Sequence, residues 1–168
     1  EFYKSQYPAL TEKFFVSPNV LDPDRVNSEP VSFNGCLRIV YTGGLSGNRT
    51  ARFFLAACKQ LWKQNSETKL EVIFAGPADR KNLRLLKQYG LPFVKHLGNV
   101  SYAHACRLQR EAHVLLVIDQ HLGIADRAMF FPSKILDYFS ARRRILALTD
   151  PNSATSNILR ACNSTVIY

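Results

Sequence analysis

From residue 36 onward, short apolar β-branched runs alternate with longer segments of helical period, and few folds can accommodate that alternation. The runs span 37–42, 70–75, 92–97, 114–118, 144–149 and 165–168. The segments between them, 50–64, 79–89, 102–111, 134–141 and 153–162, carry apolar residues at helical spacing, such as Phe53, Phe54, Ala57, Leu61 and Trp62. Gly43-Gly44, Gly76-Pro77 and Gly98-Asn99 end the first three runs, and Gly90 closes the second helical segment. Strand and helix in strict alternation mean right-handed βαβ units and a parallel sheet. Strands with no polar face need helices on both sides. The expected fold class is therefore α/β, a doubly wound parallel sheet of Rossmann type.

Such sheets bind ligands beyond the carboxyl ends of their strands, so the strand-to-helix turns are the places to look for chemistry. The first turn, Thr42-Gly43-Gly44-Leu45-Ser46-Gly47-Asn48-Arg49-Thr50, brings glycine backbone, a helix start and a guanidinium together, a set suited to a diphosphate. It matches neither G-x-G-x-x-G nor the P-loop, and a tight turn with an exposed arginine fits it equally well. Residues 119–134 form a long turn that ends in Phe131-Pro132-Ser133-Lys134 at a helix start. Ser133 can cap that helix or meet a phosphate, Lys134 adds charge, and Asp137 can accept from ribose hydroxyls or complement the helix dipole. Gly98-Asn99-Val100-Ser101 can read the edge of a base, or be an ordinary turn whose serine caps the next helix. Arg142-Arg143-Arg144 falls at the amino edge, away from these turns, and reads as a helix C-terminal charge cluster. His96 and His113 lie within or beside strands and read as structural, whereas His121 lies in the long turn.

Residues 1–35 are different. They hold half of the chain's eight prolines and no long helical period, with one apolar patch, 13–17, read as a strand. They are expected to be an interdomain segment preceding a domain over 36–168. The four cysteines are scattered through apolar segments without metal spacing and read as small buried hydrophobes of a reducing compartment. The net charge of +9 favours anionic partners: phosphates, nucleic acid or an acidic membrane face. Aromatics at core spacing, rather than interleaved with a basic stripe, argue against nucleic acid. No G-x-S-x-G, H-E-x-x-H or paired His/Cys occurs, so no nucleophile or metal site is expected.

The order of motifs resembles the C-terminal half of GT-B glycosyltransferases, especially glycosyltransferase family four. The resemblance rests on Lys13-Phe-Phe-Val-Ser-Pro-Asn19, on Ile39-Val-Tyr-Thr-Gly-Gly-Leu-Ser-Gly-Asn-Arg49, on Val72-Ile-Phe-Ala-Gly76, on His96-Leu-Gly-Asn-Val100, on Leu108-Gln-Arg-Glu-Ala-His-Val-Leu-Leu116 and on Phe131-Pro-Ser-Lys-Ile-Leu-Asp-Tyr-Phe-Ser-Ala141. It implies a nucleotide-sugar donor, UDP- or GDP-linked, with no permanently bound cofactor and no metal. Gly43, Gly44 and Arg49 would face the diphosphate, Val100 and Ser101 the base, Ser133 and Lys134 the phosphates or sugar, and Asp137 the ribose. It further implies retaining transfer to a glycan or lipid-linked acceptor at the cytoplasmic membrane face. The N-terminal acceptor domain and a final crossing helix would lie outside this sequence, leaving it able to bind donor and unable to transfer. Asp137 stands where the family has glutamate, Met129 where it often has a second one, and Ala141-Arg142-Arg143 where it has Ala-x-Gly. A degenerate, non-catalytic module with a basic surface is the alternative those departures leave open.

Overall fold

The computed structural model describes residues 2–15, 20–26, 29–67, 69–119, 132–162 and 165–167. Six parallel strands, β1 (Leu37–Thr42), β2 (Leu70–Ala75), β3 (Val94–Gly98), β4 (Val114–Ile118), β5 (Arg144–Leu148) and β6 (Thr165–Ile167), form one sheet in the order β3-β2-β1-β4-β5-β6. The helices are α1 (Phe2–Gln6), α2 (Arg52–Gln64), α3 (Arg80–Tyr89), α4 (Tyr102–Glu111), α5 (Lys134–Ala141) and α6 (Ala154–Ala161). Neighbouring residues of each central strand point to opposite cores. Ile39, Tyr41, Val72 and Phe74 pack with Phe54, Leu55 and Cys58 of α2 and Leu85 of α3. Val40, Ile73, Leu115 and Val117 pack with Leu108 of α4, Ile135 and Tyr138 of α5 and Leu159 of α6. Two buried faces explain why these strands lack polar alternation. The edge strand β3 alternates, and its exposed Lys95 pairs with Glu71 at 2.9 Å.

Three of the helix starts are written in side chains: Asp79 accepts from Asn82 N–H at 2.8 Å, Ser101 from His104 N–H at 3.2 Å and Ser153 from Ser156 N–H at 2.9 Å. Gly90, at φ 56°, closes α3 in the left-handed conformation. Arg142 closes α5 the same way at φ 52°.

The amino-terminal residues depart from the sequence reading. Lys13 ends a 3-10 helix, Pro8–Lys13, and Phe14 and Phe15 are in no strand; residues 16 and 17 lie outside the described residues. Pro8 starts that turn with a fixed φ, and Thr11 Oγ1 donates to the Pro8 carbonyl at 2.8 Å. Tyr3 and Tyr7 then pack on Phe14, with ring centroids 6.3 and 6.4 Å apart, so the apolar patch is used in a local cluster. The cysteine reading holds for Cys58 alone. Cys36 and Cys106 are half-buried, Cys162 is exposed and all four are free. His96 and His113 are structural, as expected. His96 Nε2 lies 3.0 Å from the Gly76 carbonyl. His113 Nδ1 accepts the Arg38 N–H at 2.9 Å, which places its proton on Nε2, 3.3 Å from the Ser32 carbonyl.

The chain leaves β1 in one direction through α2 and α3, then crosses back through α4 to β4 on the other side. β1 and β4 pair only through Ile39–Val114 and Val40–Leu115; beyond that point they part. The buried hydroxyl of Tyr138 fills the gap, accepting Thr42 N–H at 2.9 Å and donating to the Leu116 carbonyl at 3.2 Å. Replacing it with phenylalanine strands one buried donor and one acceptor. Tyr138→Phe is therefore expected to cost about 2–3 kcal/mol in urea unfolding with an unchanged slope; a loss within experimental error would show that the hydroxyl does not hold the two strand ends.

Candidate functional site

β1 and β4 part at the carboxyl edge, at the switch point of the strand order, which is where sheets of this kind form their crevice, and the turn after β1 forms one wall of it. Its backbone is stitched to the turn after β2. Gly43 N–H donates to the Ala75 carbonyl at 2.8 Å, Leu45 N–H to Pro77 at 2.9 Å and Asp79 N–H to Leu45 at 3.0 Å. The fit is tight enough that a Cβ on Gly76, at φ 141°, would lie 2.2 Å from the Gly43 carbonyl oxygen. Gly43 itself has φ 120°, a conformation that L side chains rarely adopt. Asp79 accepts Gly47 N–H at 3.0 Å as well as capping α3. Hydrogen bonds from Asn82 N–H, and then from Gly47 N–H, hold its carboxyl below the usual range. The far end of the turn is pinned by Asn82, whose side-chain amide lies 3.4 Å from the Arg49 carbonyl. Helix α2 follows with no side chain capping its first turn.

Lys134 enters from the opposite wall, at the first position of α5. Its Nζ lies 3.8 Å from the centroid of the Tyr41 ring and 3.0 Å from where a Cβ on Gly43 would be. The side chain therefore runs over the glycine turn, and a larger residue at position 43 would displace it. Nζ is out of solvent and has no hydrogen-bond partner among the described residues; Arg49 Nε is in the same state. Burial pushes the Lys134 ammonium down to about 7, the Arg49 charge pushes the same way, and the Asp119 carboxylate opposes them. The Tyr41 hydroxyl below donates to the Gly44 carbonyl at 2.7 Å, and burial raises its ionisation far above the ordinary phenol range. A buried ammonium beside a half-buried guanidinium, with no hydrogen-bond partner on Nζ or Nε among the described residues, is unfavourable by itself.

A polar chain at the ends of β4 and β5 borders this pair. Asp119 accepts from Thr149 Oγ1 at 3.0 Å, and Thr149 Oγ1 lies 2.7 Å from Ser153 Oγ, the cap of α6. The sequence reading marked both turns as places for chemistry and gave these three residues no role. The cue was present: an acid directly after an apolar strand, and a Thr-x-x-x-Ser turn after the next.

The remaining expected residues lie around the amino ends of α4 and α5. Val100 packs, half-buried, against the core on the α4 and α5 side of the sheet. Ser101 uses its side chain as the α4 cap. Ser133 is exposed and does not cap α5, which corrects one of its two expected roles. It follows Pro132 and already has helical angles, φ −54° and ψ −29°, whereas a capping side chain needs an extended backbone. The Pro132 and Ser133 carbonyls take the Ile135 and Leu136 N–H groups instead. Asp137 Oδ1 accepts from the Tyr102 hydroxyl at 3.0 Å, and that oxygen accepts from Arg25 Nη1 at 3.2 Å. Tyr102 is pushed up to about 12 by hydrogen bonds to Cys106 and to Asp137. Sequence reading missed Tyr102 and Arg25, because partners 35 and 77 residues apart leave no periodic signal. The arginine cluster sits at the amino edge, where Arg143 donates to the carbonyls of Arg110 and Glu29 at 2.8 and 2.7 Å. His121 and Met129 lie outside the described residues.

No family model matches the sequence, and no curated protein matches it. Solved structures do. The chain superposes on WaaG, a glycosyltransferase involved in lipopolysaccharide biosynthesis, with a TM-score of 0.71 and 16% identity, over 98% of this chain and 45% of that one. It matches the C-terminal domain of a glycosyl transferase group 1 family protein, LpcC, from Francisella tularensis (TM-score 0.55, 15% identity, 78% of this chain and 67% of that one). It also matches a UDP-forming α,α-trehalose-phosphate synthase from Burkholderia xenovorans in complex with glucose-6-phosphate (TM-score 0.57, 13% identity, 79% and 33%). The chain thus spans less than half the length of two of these structures. Its fold is that of the C-terminal half of GT-B glycosyltransferases.

If Lys134 is held at the expense of stability, an apolar side chain of similar length should relieve the strain. Lys134→Met is expected to raise Tm by about 2–4 °C at neutral pH. A calorimetric scan showing a lower Tm would mean that the ammonium is satisfied where it lies.

Proposed function

We propose that this chain is the donor-binding half of a retaining glycosyltransferase. In this reading the whole enzyme moves a sugar from a nucleotide-diphosphate sugar to a glycan or lipid-linked acceptor, at the cytoplasmic membrane face, in surface-polysaccharide or glycoconjugate synthesis. The observation that carries the reading is the pair of unpartnered cationic nitrogens, Lys134 Nζ and Arg49 Nε, in the crevice at the switch point of the sheet. A diphosphate brings two negative charges and several acceptor oxygens, which is what a buried ammonium and the half-buried guanidinium that repels it lack. Glycine at 43 and 44 lets those oxygens approach the backbone.

The same geometry suits transfer. When the bond from the sugar to the diphosphate breaks, the electron pair stays with the departing nucleoside diphosphate, and negative charge grows on its terminal phosphate. Cations already fixed in a water-poor crevice favour that charge over the ground state without reorganising. Asp137, with Oδ1 held by Tyr102, offers Oδ2 to the ribose hydroxyls, and Val100 and Ser101 border the base. A uridine donor is the first candidate, because the Burkholderia synthase is UDP-forming. The acceptor groups belong to the other half of such an enzyme, so the chain by itself is expected to bind donor and to transfer nothing.

Calorimetric titration with UDP- and GDP-sugars tests this. One of them should saturate the chain, and Arg49→Ala should weaken it by about tenfold or more. A nucleotide-sugar diphosphate keeps its charge between pH 6 and 9, so the pH dependence reports Lys134. Below about 7 the ammonium is charged and affinity is full; above it the lysine must take up a proton on binding. Affinity should fall about tenfold by pH 8, with close to one proton taken up per ligand. Saturable binding to none of the donors at pH 6.5 would sink the reading in favour of a degenerate module.

Tyr102→Phe separates a ribose contact from a general one. It should weaken a ribonucleoside diphosphate about three- to tenfold and leave the 2′,3′-dideoxy analogue unchanged. Equal loss for both would remove Asp137 from the ribose.

A further inference from the structure

The positive charge of the chain is concentrated outside the crevice. Helices α2 and α3 hold seven of its 22 Lys and Arg and none of its 13 Asp and Glu, so the rest of the chain is close to neutral. Arg52, Lys59 and Lys63 recur along one stripe of α2 and line a groove of about 590 Å³ against Leu85, Gln88 and Tyr89 of α3. Arg80, Lys81, Arg84 and Lys87 cover the outer side of α3, all exposed. No acidic side chain lines the groove. These two helices also leave large apolar side chains in solvent: Phe53 is 71% exposed, Leu61 46%, Leu83 37% and Trp62 36%.

We propose that this outer face of α2 and α3 docks the protein on an anionic lipid bilayer, with the lysines and arginines against headgroup phosphates and Phe53 dipping beside them. Long cationic side chains mixed with exposed phenylalanine, leucine and tryptophan are the composition of a helix face that lies in a membrane interface. A nucleic acid would instead need ring faces on which bases stack. Two of the three rings here are engaged, leaving Phe53 as a lone exposed ring rather than a stacking row: Lys59 Nζ sits 5.8 Å over Tyr89, whose hydroxyl donates to the Arg52 carbonyl at 3.3 Å, and Trp62 packs edge-on against Phe93 at 6.2 Å. Contact is peripheral, since no helix among the described residues is long and apolar enough to cross a membrane. The face is separate from the crevice, so this inference stands or falls independently of donor binding.

Co-flotation with vesicles tests it. The chain should float with phosphatidylcholine vesicles containing about one-third phosphatidylglycerol, stay behind with pure phosphatidylcholine, and be released by about 0.5 M salt. The triple variant Lys59→Gln, Lys63→Gln, Arg84→Gln should lower the partition by about a hundredfold with an unchanged Tm. A control triple, Lys13→Gln, Arg107→Gln, Arg160→Gln, removes the same charge elsewhere and should lower it far less. Equal loss in both triples would overturn the assignment to this face. Failure to float with anionic vesicles overturns the proposal outright, as does tighter binding to a single-stranded oligonucleotide at matched salt that the first triple abolishes.

Discussion

The arrangement turns on one phenolic oxygen. β1 and β4 begin as paired neighbours and then separate, because the chain leaves one toward β2 and the other toward β5. Separation leaves a buried N–H at Thr42 and a buried C=O at Leu116 with no ladder partner, and a buried unpaired backbone group is costly. Tyr138 supplies the missing partners from the side, through α5. Gln109 of α4 completes the set by donating to Thr42 Oγ1 at 2.9 Å. The crevice therefore exists because two helices from the far side of the sheet satisfy the backbone that opening it exposes. The same helix that holds the strands apart carries Lys134 and Asp137, so the position of the site chemistry is tied to the packing of the core.

That coupling has a consequence for stability. Lys134 lies over the Gly43 turn, and that turn is fixed by Gly76 at a spacing that admits no side chain. The Tyr41 ring offers the ammonium a π face in place of water. This compensates only in part, and the depressed ionisation of Lys134 records the remainder. A site that binds an anion through preorganised, underpaired cations stores that cost in the empty protein and releases it on binding.

Most of the sheet was legible because each strand announces itself locally. β1, β2 and β4 have the boundaries their apolar runs imply, and α4 and α5 begin and end where their periods do. Ser101 capped as its position indicates, and Asp79 and Ser153, expected only as helix starts, capped as well. Ser133 did not, because a cap depends on backbone angles that Pro132 and the approach to α5 impose, and composition does not carry those. Residues 13–17 misled in the same way: Phe14, Phe15 and Val16 in a row fit a strand, yet Phe14 packs on Tyr3 and Tyr7 instead. At the site, Gly43, Arg49 and Lys134 were findable from turn chemistry. The Tyr102–Asp137 hydrogen bond was not, and Asp119, Thr149 and Ser153 had local cues while their meeting did not, since which loops become neighbours is decided by strand order rather than by period.

The two electropositive regions obey different physics, and their difference in depth is what lets one chain use both. Exposed cations on α2 and α3 act through a field that salt screens over about 8 Å at physiological ionic strength. Their attraction is broad, additive and tolerant of which lysine makes which contact. Lys134 Nζ and Arg49 Nε are buried, so salt reaches them poorly and their effect on a bound anion depends on geometry to a fraction of an ångström. Raising the salt concentration should therefore weaken an outer contact long before it empties the crevice. A surface whose charges were as deep as those in the crevice would be too costly to fold, and a crevice whose charges were as exposed as those on the surface would not distinguish a diphosphate from the solvent's own ions.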